Sequence, residues 1–182
     1  SMINDVSALT YDADLARVVS ERGVPIVLMH NRGTSREMYK EATYSNVTAE
    51  VFSELQLAIK RAVAAGVTRS QIIVDPGLGF AKRSRHSIAA LANLVVLAGL
   101  DRPILVGPSR KSFLTTAIGD VGPSNREWAT AGAVSAAVLS GAHIVRVHAV
   151  AEHADVVRTV DAIRSSSDGP SDPTGVRSCS MH

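Results

Sequence analysis

Ser109-Arg110-Lys111-Ser112 sets two adjacent cations directly behind Gly107-Pro108. Read as a helix start, Ser109 is the N-cap and both cations lie in the first turn. Each then opposes the helix dipole at a cost of roughly 0.3–1 kcal/mol, so the pair asks for an anionic or electron-rich partner. The plain alternative is a solvated basic turn. Arg146 and His148 stand two apart on an apolar run, so both point to one side of a strand. Together they could grip a phosphate, a bidentate guanidinium beside an imidazolium; a buried ion pair is the plain alternative. Asp75 ends another apolar run, at Asp75-Pro76-Gly77-Leu78-Gly79-Phe80. Pro76 stops the strand and the glycines permit a tight turn. Asp75 is thereby held at a strand end, where it could accept hydrogen bonds from a polar heterocycle or simply form the turn. His30 ends a further run alone and reads as a satisfied structural histidine. Arg32-Gly33 opens a polar loop reaching to about residue 47, which either covers a site or only connects.

The elements that must position these groups alternate along the chain. Residues 2–5, 24–30, 71–75, 103–107 and 143–148 are short, rich in Ile, Val and Leu, and poorly alternating, as expected of strands buried on both faces. Between them, residues 13–22, 48–65, 87–98 and 125–140 show helical spacing, and 152–164 close the series. In residues 48–65 the stripe is Val51, Phe52, Leu55, Ala58, Ile59, Ala62 and Val63. Five β-α units imply a parallel sheet with right-handed crossovers. Length favours a complete open sheet, because a whole (β/α)₈ barrel typically needs about 250 residues. The polar residues favour a barrel. An open sheet gathers ligand groups at one switch point, whereas here every strand ends in polar or motif residues, as at a barrel mouth. The five strands would be the barrel's last five.

Composition narrows the classes. The chain has 182 residues, 46% of them hydrophobic and 20% charged, with a net charge of +2. This suits one soluble core rather than disorder and lacks the basic excess of a nucleic-acid binder. No apolar run is long enough to span a bilayer, and the polar, acidic start does not read as a secretory signal. The expectation is a cytoplasmic protein without membrane or nucleic-acid partners. The single cysteine, Cys179, excludes a cysteine zinc cluster. No Walker loop or nucleophile elbow is present, and His86, His143 and His153 lack ligand-like spacing, so no metal site is expected. Residues 1–164 are read as one domain and 165–182, rich in Ser, Gly, Pro and Asp, as a disordered polar tail.

Five blocks in order resemble the dihydropteroate synthase family: Ile3-Asn4-Asp5-Val6-Ser7, Leu28-Met29-His30 through Gly33, Asp75 through Phe80, Ser109 through Ser112, and Arg146-Val147-His148. The resemblance implies an α/β fold, parallel (β/α) units forming part of a TIM (β/α)₈ barrel and equivalent to its strands four to eight. It implies condensation of a 6-hydroxymethyl-7,8-dihydropterin diphosphate with p-aminobenzoate to give 7,8-dihydropteroate and diphosphate. By this resemblance Asn4, Asp75 and Lys111 hold the pterin, Met29 and Gly107 line its pocket, Arg146 and His148 bind the diphosphate, and Phe80 and Ser112 lie near the aminobenzoate. Lys111, Arg146 and His148 are the expected catalytic residues. The family's Mg²⁺ ligand precedes the region matched, and the family's homodimers imply association through the late helices. Ala149 stands where the family usually has Asp, and Ala81 where Gly is usual, a change expected to be mild. The segment alone is expected to be inactive. A corrinoid-dependent methyltransferase domain, or an inactive barrel remnant, is the alternative reading.

Overall fold

Branched apolar residues, which pack well on a pleated surface, build five parallel strands: β1 (Ile3–Asp5), β2 (Ile26–Met29), β3 (Ile72–Asp75), β4 (Leu105–Val106) and β5 (Ile144–Val145). The helices are α1 (Leu15–Arg22), α2 (Val47–Ala64), α3 (Ser84–Ala92), α4 (Thr115–Ile118), α5 (Glu127–Leu139) and α6 (Val150–Ser167). This computed structural model describes residues 1–12, 14–33 and 42–167. Most of the loop read after Gly33, and the tail from residue 168, lie outside the described residues.

β1, β2 and β3 pair in that order, with Asn4 opposite Val27 and Met29 opposite Asp75. β4 pairs with β5, Val106 opposite Val145. A single bridge, Val74 to Ile104, joins the two ladders, and Val74 N–H donates to the Pro103 carbonyl at 2.9 Å. Val27, Ile73 and Leu105 are buried together with Ile144 against them, one side chain from each of four successive strands. Ile26, Leu28, Ile72, Val74, Ile104 and Val106 enter the larger core, shared with Val51 and Leu55 of α2. Strand alternation explains the split, and an inner layer drawn from successive strands is how a barrel interior fills. The units are therefore part of a barrel; the open sheet favoured by length is not formed. Val134 and Val138 of α5 and Val160 of α6 form a separate cluster.

Local chemistry sets the helix ends. Asn46 caps α2 by accepting the Ala49 N–H at 3.1 Å, and Glu50 accepts the Ser45 and Asn46 N–H groups at 2.8 Å. Gly23, at φ 62°, closes α1 as its position suggests. The helix expected over 87–98 instead splits at Asn93, whose side-chain amide donates to the Ala89 carbonyl at 2.9 Å. That competition with the backbone ends α3, and a 3₁₀ stretch, Leu94–Leu100, follows. α6 runs on to Ser167, so residues 165–167 are helix and not tail. No described helix is long and apolar enough to cross a membrane.

Candidate functional site

The C-terminal ends of the strands converge on one carboxylate. Asp75 ends β3 at 1% exposure. Its Oδ1 accepts the Gly77 N–H at 2.7 Å, the turn chemistry expected of Asp-Pro-Gly. Its Oδ2 faces the mouth, where Arg146 Nη1 lies at 3.3 Å. The same Nη1 donates to Asn4 Oδ1 at 2.7 Å. Burial pushes the Asp75 carboxyl upward, while the Gly77 N–H, Arg146, Lys111 and Lys82 pull it back. Gly107, just past β4, leaves the guanidinium room: a Cβ there would stand 2.6 Å from Arg146 Nη2 and 3.0 Å from Cζ. β5 stops at Val145, so Arg146 and His148 do not act as a strand pair. Arg146 reaches across the mouth, and His148 turns to Ser109, its Nδ1 2.8 Å from the hydroxyl.

The Ser109–Ser112 loop departs from expectation. Ser109 is not an N-cap; its hydroxyl accepts the His148 N–H at 3.2 Å. Arg110 adopts a left-handed φ of 57°, which breaks any helix starting at Ser109. Its N–H donates to Thr130 Oγ1 at 3.1 Å, and its guanidinium pairs with Glu127 at the start of α5. Lys111 therefore precedes the short turn Ser112–Leu114 rather than lying in it, and the dipole conflict expected there does not arise. Its ammonium donates to the Leu78 carbonyl and sits 4.7 Å from the centre of the Phe80 ring. Burial lowers its pKa to about 8, with Arg146 adding to the effect and Asp75 opposing it. The structure thus gathers Asn4, Asp75, Gly107 and Arg146, with Lys111 and Phe80 alongside. Met29 is buried beneath, against Gly77, and Ser112 is exposed.

Buried acid, cation cluster and parallel-strand mouth agree with a match of residues 1–148 to the pterin binding enzyme family. The chain belongs to that family. Among its pterin-binding relatives, the dihydropteroate synthase of Mycobacterium leprae is 42% identical over 167 residues, 88% of this chain and 59% of the relative. That of Synechocystis is 37% identical over 162 residues, 89% and 56%. The Xanthomonas albilineans dihydropteroate synthase, solved in complex with 7,8-dihydropteroate, superposes with a TM-score of 0.81 at 32% identity, over 93% of this chain and 60% of that one. The chain spans 56% to 60% of the length of these three proteins.

Behind the pterin-family mouth lies a charged network that sequence reading missed. Lys82 is 2% exposed. Its Nζ lies 2.7 Å from His30 Nδ1, 3.2 Å from the Gly77 carbonyl and 3.1 Å from that of Phe80. Three ammonium hydrogens thus meet three acceptors, which makes His30 Nδ1 an acceptor and leaves Nε2–H to donate to Glu54, 3.1 Å away. Glu54 and Glu50 both hold Arg32, which stacks 4.1 Å above the Tyr44 ring. Burial drives Lys82 down to about 7. It also drives His30 down to about 4, Lys82 adding to the effect and Glu54 opposing it. Burial would raise Glu54, but bonds from His30 and Arg32 bring it to about 2.

His30, read as a satisfied structural residue, does have partners on both nitrogens. An unfolded histidine titrates near 6.5, roughly. Between that value and about 4 the unfolded chain binds the proton that the folded one refuses, so stability falls as pH falls through this window. The loss should reach on the order of 3 kcal/mol. Melting curves should show this slope in the natural chain and lose it in His30→Gln; equal slopes would contradict the assignment.

Proposed function

We propose that this chain carries the pterin- and diphosphate-binding part of a dihydropteroate synthase. The whole protein would join a 6-hydroxymethyl-7,8-dihydropterin diphosphate to p-aminobenzoate, releasing diphosphate. The supporting observation is the buried Asp75, whose Oδ2 faces the mouth with Asn4 Oδ1 beside the same cation. A pterin's amino and ring N–H groups are donors that such acceptors recognise. Lys111 supplies the complementary donor from the side of Leu78 and Phe80. As the methylene C–O bond breaks, negative charge grows on the departing diphosphate, and Arg146 and His148 stabilise it. The aniline nitrogen, near Phe80 and Ser112, forms the new C–N bond and loses a proton.

Among the described residues no three His, Cys, Asp or Glu side chains gather to hold an ion. Mg²⁺ belongs to the same proposal, with its protein ligand expected outside the region matched and the substrate's diphosphate as its other partner. Turnover is assigned to the complete barrel, and ligand binding to the residues here; alone, this chain is expected to bind without turning over. A cytoplasmic homodimer, joined through the late helices, is part of the same proposal.

Calorimetry with the pterin diphosphate tests it. Asp75→Ala should weaken binding by about 1–3 kcal/mol, because donors on the ligand go unpaired. Lys111→Ala should weaken it as well, through loss of a charge-assisted donor. Unchanged affinity in both variants would remove the pterin from this mouth.

A further inference from the structure

The mouth holds a donor group that competes for the oxygens its proposed ligand would need. Of the two Asp75 oxygens, Oδ1 is taken by the Gly77 N–H. Oδ2 is the one a ligand could use, and Arg146 Nη1 occupies it while also bonding Asn4 Oδ1 at 2.7 Å. A guanidinium is a planar N–C–N unit edged with donors. The 2-amino-pyrimidinone edge of a pterin presents the same donor-bearing N–C–N unit. Here one guanidinium nitrogen, Nη1, spans both acceptors, Asn4 Oδ1 and Asp75 Oδ2; a pterin's N–H edge needs the same oxygens, so only one can be seated at a time. The seat is built from three strands: Asn4 from β1, Asp75 from β3, and after β4 a glycine whose Cβ would collide with the guanidinium. Arg146 can also leave, since its side chain is 39% exposed.

We propose, building on the pterin reading, that Arg146 is an internal stand-in for the pterin head and sets the specificity of the mouth. A bare pterin must evict the guanidinium and offers it nothing. A pterin bearing a diphosphate evicts it and supplies an anion to receive it, so the mouth discriminates by what happens to Arg146. Burial already disfavours a charged Asp75, and Arg146 is among the groups that offset this, which makes eviction without replacement costly. One residue thus links recognition of the heterocycle to recognition of the leaving group.

The test compares 6-hydroxymethylpterin and its diphosphate ester, titrated calorimetrically into the natural chain and into Arg146→Ala. With the competitor gone, the bare pterin should bind about 10-fold tighter, the gain expected when a mostly closed site is opened. The diphosphate ester should bind at least about 10-fold weaker, so the preference for the ester falls roughly 100-fold. Parallel weakening of both ligands, or an unchanged bare-pterin affinity, overturns the proposal. A second measurement needs no substitution. In the natural chain the Arg146 guanidinium NMR signals should be protected from exchange and become exposed when bare pterin binds. Signals that do not move as the pterin binds overturn the proposal equally. If neither ligand binds either protein, the pterin reading itself fails and this inference with it; if both bind with an unaltered preference, only this inference fails.

Discussion

Gly77→Ala is expected to destabilise the chain by at least about 3 kcal/mol, among the larger effects a single methyl can have. Gly77 sits at φ 65°, and a Cβ there would stand 2.0 Å from the His30 backbone carbonyl oxygen and 3.1 Å from its carbon. The left-handed conformation alone costs an alanine roughly 1–2 kcal/mol. The remainder comes from the collision, which no rotamer can relieve because the neighbour is backbone. The turn must lift off the end of β2, stretching the bond from Gly77 N–H to Asp75 and the 2.8 Å bond from His30 N–H to the Asp75 carbonyl. Gly79→Ala is the matched comparison. It is also left-handed, at φ 79°, but meets only the flexible Lys111 Cδ at 3.4 Å, so it should lose only the conformational part. Urea denaturation of the two variants checks this; equal losses would show that the Gly77 contact is not tight.

Lys82→Met is expected to cost about 3 kcal/mol at neutral pH, since a buried amine leaves behind two carbonyls and a ring nitrogen without a donor. The pH profile carries the sharper signature. Folded, Lys82 titrates near 7; unfolded, a lysine titrates near 10.4, roughly. Between those values the unfolded chain holds the extra proton, so this residue makes stability rise as pH rises from about 7 towards 10. The methionine variant should lack that rise while keeping the acid-side slope assigned to His30. A rise of equal size in both proteins would move the titrating group elsewhere. Because Lys82 holds the Gly77 and Phe80 carbonyls, its removal should also loosen the turn presenting Asp75.

Much of this was legible because it is local. Strand ends rich in Asp, Arg and His announce a mouth, and Asp75 before Pro76 and Gly77 announces the turn it makes. What escaped depends on long-range folding. Lys82 stands in Lys82-Arg83-Ser84-Arg85, which reads as a solvated basic run; only the return of the turn over β2 buries one member of it. Ser109 reads as a cap until Arg110 turns left-handed and Glu127, 17 residues on, takes its guanidinium. Arg146 meets Asp75 across 71 residues, beyond any periodicity. Ala81 also escaped. The structure holds it buried at φ 46°, its carbonyl accepting the Tyr44 hydroxyl at 2.9 Å. A left-handed alanine there stores strain of roughly 1–2 kcal/mol.

Among the described residues a single bridge, Val74 to Ile104, carries the sheet from β3 to β4. Asn4, Met29, Asp75 and Phe80 lie on one side of it, and Gly107, Lys111, Arg146 and His148 on the other. The mouth is thus a jaw whose sides also meet through polar teeth: Arg146 on Asp75 and Asn4, and Lys111 on Leu78. Beneath them the apolar layers cross the seam: Val27 and Ile73 pack with Leu105 and Ile144, and Val74 shares the larger core with Ile104 and Val106. A ligand touching both sides would add a strut to that shared core, so part of its grip would be spent on steadying the seam.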